Sequence, residues 1–246
     1  MKIQIFSDLH LENKEIKYPS PCCDILILAG DVCEIDKLEE NRAFFLYINM
    51  NWKKILWIPG NHEYYSKNYN IDEVDSLLEL FVKLFPNIII LNRKVVLIDN
   101  IKFMGCTLWS RIHDDVVERG QSAFQKLLFN SVPINNSYYN KMNDRDISWI
   151  YDNYNPDIDT VLITHFPMRQ GFTTDPEFIG DPQKIKDVYT NNIDIEPNNS
   201  KFLYCISGHT HYNFFKKINN TTYLSNQYGY NSKPETNFNE KGLFSL

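Results

Sequence analysis

The sequence predicts an α/β fold in which mixed β-sheets pack together, and three observations carry that expectation. Five short apolar runs read as buried strands: Lys2 to Phe6, Asp24 to Ala29, Lys54 to Ile58, Thr160 to Ile163 and Phe202 to Ile206. The early runs are joined by helical patterns, as parallel strands require. The later strands are paired through two-residue turns, which makes them antiparallel hairpins. Parallel units followed by hairpins imply mixed sheets stacked on one another, not a wholly parallel barrel.

Taken in order, the second and third runs are linked by a helix expected between Asp36 and Asn49. From Asn70 to Phe85 the residues Val74, Leu77, Leu78, Phe81, Leu84 and Phe85 recur at helical spacing, with Asn70 as N-cap and Glu73 as its capping-box partner. Val95 to Ile98 and Ile101 to Gly105 flank Asp99-Asn100, and Phe214 to Ile218 and Thr221 to Leu224 flank Asn219-Asn220, two hairpin signals. Residues 111 to 143 and 166 to 200 read as loop-rich, and loops held over a rigid site commonly set substrate choice.

With 43% apolar and 23% charged residues, the chain has the core material of a soluble globular protein, which argues against global disorder. A net charge of −6 argues against long duplex DNA or RNA as partner, because such binding rests on phosphate neutralisation by Lys and Arg. No stretch is long and apolar enough to span a membrane, and the amino terminus lacks the apolar segment of a secretory signal. Cysteines 22, 23, 33, 106 and 205 form no CxxC pair; they read as reduced core residues of a cytoplasmic protein.

Five of the six histidines fall in four short blocks. Together with a glycine–aspartate pair, the blocks read Asp8-Leu9-His10, Gly30-Asp31, Gly60-Asn61-His62-Glu63, Thr164-His165 and Gly208-His209-Thr210-His211. Each follows one of the five apolar runs, and ligands of open α/β sheets gather at the carboxyl ends of strands. Residues two apart on an extended chain point to the same side, so Asp8 with His10, and His209 with His211, can each address a shared site. Glycine before Asp31 and Asn61 lets the backbone approach an ion closely. Carboxylate, amide and imidazole without thiolate favour Mn, Fe, Zn or Ni over a structural zinc–cysteine site. Because blocks from residue 8 to residue 211 must converge, residues 1–246 are expected to form a single domain.

As an ordered set, D-x-H, G-D, G-N-H-E, H and G-H-x-H resembles the calcineurin-like metallophosphoesterases over nearly the whole chain. The wording Ser-Asp-Leu-His-Leu-Glu at 7 to 12, Pro-Gly-Asn-His-Glu-Tyr-Tyr at 59 to 65 and Thr-Leu-Trp at 107 to 109 is similar to a branch of small predicted phosphohydrolases. The resemblance implies a four-layer α/β/β/α sandwich. It also implies two divalent transition-metal ions: one on Asp8, His10 and His211, the other on Asn61, His165 and His209, with Asp31 bridging. His62 would face the substrate phosphate as the catalytic residue. Such a pair of ions, about 3.5–4 Å apart, holds a solvent-derived hydroxide for in-line attack at phosphorus, so no serine or cysteine nucleophile is needed.

The expected activity is hydrolysis of a small phosphate ester, diester slightly ahead of monoester. A noncatalytic scaffold of the same fold would have lost ligands, and a nuclease would want a basic stripe. The chain departs from the protein phosphatase branch after Asp31: Glu34 stands where that branch has an aspartate that pairs with the active-site histidine, and Ile35 replaces an arginine. Loss of that arginine argues against phosphoprotein substrates. Glu34 is a candidate partner for His62 or a solvated glutamate at a helix start. Arg111 and His113 are candidate phosphate contacts and Tyr64, Tyr65 and Trp109 candidate stacking groups, with core filling and solvation the simpler roles.

Overall fold

The computed structural model describes residues 1–13, 18–112, 124–176, 190–191, 193, 202–230 and 237–246. Two large mixed sheets dominate it. The first has the order β13-β1-β2-β3-β4, built from β1 (Lys2–Phe6), β2 (Ile25–Ala29), β3 (Lys54–Ile58), β4 (Ile88–Ile90) and β13 (Leu243–Ser245). The pairs β1–β2, β2–β3 and β3–β4 are parallel and β13 is antiparallel to β1. The second has the order β11-β12-β10-β9-β6-β5, from β5 (Lys94–Ile98), β6 (Ile101–Cys106), β9 (Thr160–Thr164), β10 (Phe202–Ile206), β11 (Phe215–Ile218) and β12 (Thr221–Leu224). A short hairpin, β7 (Leu128–Phe129) with β8 (Val132–Pro133), stands apart from both.

Strand alternation divides the apolar residues between layers. Ile3, Ile5, Ile25, Ile27, Leu56 and Ile58 of the first sheet meet Phe103, Val161, Ile163 and Ile206 of the second in one buried cluster between the sheets. On the outer face of the first sheet Leu26, Leu28, Ile55 and Trp57 pack with Phe44, Phe45 and Ile48 of α1 (Arg42–Asn51) and Val74, Leu78 and Phe81 of α2 (Ile71–Val82). On the outer face of the second, Met104, Leu162 and Phe202 pack with Ile150 of α3 (Asn136–Asn153). The layers are therefore α/β/β/α, as the resemblance implied.

The five strands and both hairpins fall where the apolar runs place them, within a residue or two. Asp99 and Asn100 both take left-handed backbone, φ +48° and +64°, as a two-residue hairpin turn requires. The Glu73 carboxylate accepts from the Asn70 N–H at 2.7 Å, the reciprocal half of the expected capping box. The helix expected from Asp36 starts later: Ile35–Lys37 is a 3-10 turn and α1 begins at Arg42.

Two readings are corrected. Residues 111 to 143 are not all loop, because α3 begins at Asn136, where Asn135 caps it by accepting from the Tyr138 N–H at 2.9 Å. Its buried side carries Asn143 and Asp146 among the apolar residues, so no helical hydrophobic stripe shows. Asp146 takes Arg93 at 2.8 Å and the Leu108 N–H at 2.9 Å, which compensates a buried charge. Among the cysteines, Cys33, Cys106 and Cys205 are buried as expected, but Cys22 is exposed and Cys23 half-buried. Among the described residues no helix is long and apolar enough to cross a membrane.

Candidate metal centre

Five strand exits from the two sheets open on one crevice. Asp8 and His10 follow β1, Asp31 follows β2, Asn61 and His62 follow β3, His165 follows β9, and His209 and His211 follow β10. Backbone bonds knit the exits together: Asp8 N–H to Gly30 O at 3.0 Å, His10 N–H to Asp31 O at 3.0 Å, and Gly208 N–H to His165 O at 2.9 Å. The backbone is not extended here. Asp8, His10, Asp31, His209 and His211 all have left-handed φ, between +49° and +72°. Non-glycine residues adopt that region at a cost that functional sites commonly carry. The i, i+2 argument from extended chain therefore fails in its reason, although Asp8 and His10 do converge. His209 and His211 reach the same crevice but join different donor groups.

Donor atoms of Asp8, His10 and His211 lie within 4.8 Å of one another, and so do those of Asp31, His165 and His209. Asp31 stands between the two groups. Its Oδ1 is 3.3 Å from His165 Nε2 and its Oδ2 3.9 Å from His10 Nε2. Asn61 Oδ1 joins the second group at 3.0 Å from His165 Nε2. Close approach depends on missing side chains: a Cβ on Gly60 would overlap Asp31 Oδ1, and one on Gly208 would come within 2.5 Å of Asp8 Oδ2.

The donor set fits a cation. His165 Nδ1 faces the Ala29 carbonyl at 3.0 Å, an acceptor only, so Nδ1 carries the proton and Nε2 a lone pair. Asn61 Nδ2 donates to Tyr65 OH at 2.8 Å, which turns Oδ1 inward. Lone pairs of His165 Nε2, Asn61 Oδ1 and Asp31 Oδ1 thus converge with no proton among them in the neutral imidazole. In the first group His10 Nδ1 donates to Glu12 Oε1 at 3.1 Å, which turns its Nε2 lone pair toward His211 Nε2, 3.0 Å away. Orienting partners of this kind are what metal-binding imidazoles ordinarily carry.

Electrostatics agree. Burial works against ionised Asp31, yet His165 and His62 hold its carboxyl well below the usual range. Burial pushes His165 down, but Asp31 outweighs it and brings the imidazole up to about 9, so a proton occupies that lone pair when no metal does. His209, half-buried, is pushed down to about 3 by desolvation and the neighbouring His165.

His62 lies at the edge of the crevice. Its Nδ1 donates to Glu12 Oε1 at 2.9 Å, and its Nε2 lies 3.0 Å from the Tyr230 hydroxyl and 3.8 Å from Asp31 Oδ2. The partner of His62 is therefore Glu12. Glu34, near enough to belong to the same acidic cluster, pairs with Lys126 at 3.1 Å. Burial raises the Glu12 carboxyl, but hydrogen bonds from His10 and His62 prevail and hold it at about 2.

Several residues around the centre were missed in the sequence. Glu63, fully buried, accepts from the N–H groups of Asp31 at 2.9 Å, Val32 at 2.7 Å and Gly60 at 2.7 Å, and so fixes two strand exits at once. Burial and the nearby Asp31 push its carboxyl up to about 7. Gln227 accepts from the His211 N–H at 2.6 Å. Glu12 and Glu63 each adjoin a histidine block, a signal that was available; Gln227 and Tyr230 carry none. Tyr64, Tyr65 and Trp109 are buried core residues, and Arg111 pairs with Asp144 on the surface. His113 lies outside the described residues.

Comparison with known proteins places the chain in a family and a fold. The family profile described as calcineurin-like phosphoesterase matches residues 1–213. Uncharacterized protein L509 of Acanthamoeba polyphaga mimivirus is 29% identical over 268 aligned positions, covering 96% of this chain and 94% of its own. The [acyl-carrier-protein] phosphodiesterase PptH of Mycobacterium tuberculosis is 41% identical over 68 residues, 25% of this chain and 20% of PptH. The crystal structure of that phosphopantetheinyl hydrolase superposes with a TM-score of 0.71 at 17% identity, covering 93% of this chain and 89% of that one, which shows a shared fold. The chain belongs to the calcineurin-like phosphoesterases, metal-dependent hydrolases of phosphoric esters.

Proposed function

We propose that this chain hydrolyses a small phosphate ester, diesters ahead of monoesters, with two divalent transition-metal ions held by Asp8, His10, Asp31, Asn61, His165, His209 and His211. The observation that carries the reading is Asp31, whose two oxygens face the two donor groups separately. The ions, Mn, Fe, Zn or Ni by donor chemistry, supply Lewis-acid charge and a solvent-derived nucleophile when bound. The protein's own contribution is geometric. Asp31 and the two histidine groups fix where the phosphoryl group sits, and Glu63 holds the strand exits that carry Asp31 and Asn61.

His62 serves as the proton donor to the leaving oxygen. Glu12 on Nδ1 fixes the tautomer and aims Nε2 into the crevice, where the leaving group departs. Burial disfavours its charged form, but Asp31 and Glu12 outweigh burial and raise its pKa, which favours the protonated imidazole. The diester preference draws support from the phosphodiesterase relative PptH. A net charge of −6 disfavours long duplex nucleic acid as substrate, and five free cysteines support a reducing, cytoplasmic setting. Residues 1–246 act as one catalytic domain in this reading.

The test is a panel comprising bis-aryl phosphate, cyclic nucleotides, aryl monophosphate, a phosphopeptide and plasmid DNA, run under Mn, Ni, Zn and Mg. Highest catalytic efficiency on a small diester is expected. A maximum on the phosphopeptide or duplex DNA would overturn the substrate class.

A further inference from the structure

Tyr230 lies beyond residues 1–213, the span that the family profile matches, yet its side chain forms a wall of the crevice. The segment after β12 carries it there. Gln227 bridges Ser7 in parallel, the Tyr228 N–H donates to Ser7 O at 3.0 Å, and the Gly229 N–H donates to Asp8 O at 3.1 Å. Gly229, at φ +76°, turns the chain over the site. Tyr230 is thus tied to the peptide that positions Asp8, not to a free loop tip.

Its ring stacks on His10, with centroids 4.4 Å apart and planes at 28°, and meets the edge of His211 at 4.5 Å. Its hydroxyl is 3.0 Å from His62 Nε2. His62 Nδ1 donates to Glu12, so a protonated His62 donates from Nε2 to the phenol oxygen and leaves the phenolic proton free. The residue is 42% exposed, whereas Tyr64, Tyr65 and Trp109 are buried. A ring stacked on a candidate ligand, a hydroxyl shared with the candidate proton donor and a face open to solvent together describe a substrate contact better than a core filler. That phenolic proton can meet an anionic oxygen entering the same space.

Building on the phosphoesterase reading, we propose that Tyr230 is a substrate-contacting residue whose hydroxyl donates to a phosphoryl oxygen beside His62. Its ring shields the Asp8, His10 and His211 side of the crevice.

The experiment compares wild type with Tyr230→Phe, both Mn-loaded, by elemental analysis and by calorimetric titration with inorganic phosphate. Phenylalanine keeps the stacking and removes only the hydroxyl. Expected are unchanged metal content, phosphate affinity about 10-fold weaker, as for one lost hydrogen bond to a charged acceptor, and a KM for bis-aryl phosphate raised in step. Phosphate affinity within about twofold of wild type would overturn the proposal. So would metal loss in the variant, which makes the residue structural, or no phosphate binding by metal-loaded wild type. Wild type that binds phosphate in a Tyr230-dependent way but turns over no ester would sink the phosphoesterase reading and leave the contact standing.

Discussion

One oxygen of Glu12 holds His62: Oε1 lies 2.9 Å from His62 Nδ1, across a separation of 50 positions in the chain. The same oxygen lies 3.1 Å from Nδ1 of His10, so a single carboxylate orients a candidate metal ligand and the candidate proton donor together.

Glu12→Gln is expected to lower turnover by about 10–100-fold, the usual range for losing a partner that orients a metal-site imidazole. Glutamine offers one neutral acceptor where two imidazoles need a charged one. The carboxyl sits at about 2 against an ordinary 4.5, so the stability it contributes is present above 4.5 and lost as pH falls toward 2. Urea titrations of the metal-free proteins should show wild type and Glu12→Gln converging at the acid end of that window. A gap that widens toward low pH would contradict the assignment.

His62→Gln should leave metal content nearly unchanged while turnover falls by about 10²–10⁴-fold. Elemental analysis beside steady-state kinetics decides it. Loss of a metal equivalent would make His62 a ligand, not a proton donor.

Glu63→Gln is expected to destabilise the protein by about 3 kcal/mol, because the amide nitrogen must face two of the four N–H groups the carboxylate now serves. Chemical denaturation measures the difference. A variant as stable as wild type would show that the strand exits are held by something other than Glu63.

The pattern of apolar runs made the strands and their hairpins legible, because a buried strand needs little else. The candidate donors were legible because histidine is scarce and five of the six sit just beyond apolar runs. Three things were not. Helix α3 hides its inner face behind Asn143 and Asp146, whose burial depends on partners far away in sequence. The left-handed backbone at Asp8, His10, His209 and His211 defeats any argument from extended periodicity, which is why the last two histidines part company. Tyr230 meets His62 across 168 residues, and Glu12 and Glu63, although beside histidines, reach partners 50 and 31 residues away that no local pattern reports.

Metal stoichiometry of Asp31→Asn tests the central claim most directly. Wild type, reconstituted with Mn and freed of excess, should hold about two ions per chain with hydrolysis of bis-aryl phosphate restored. Asp31→Asn should lose occupancy at both positions, because each of its oxygens serves a different donor group. Full retention of two ions in the variant, or none in reconstituted wild type, would contradict the bridging role and the paired-ion site built around it.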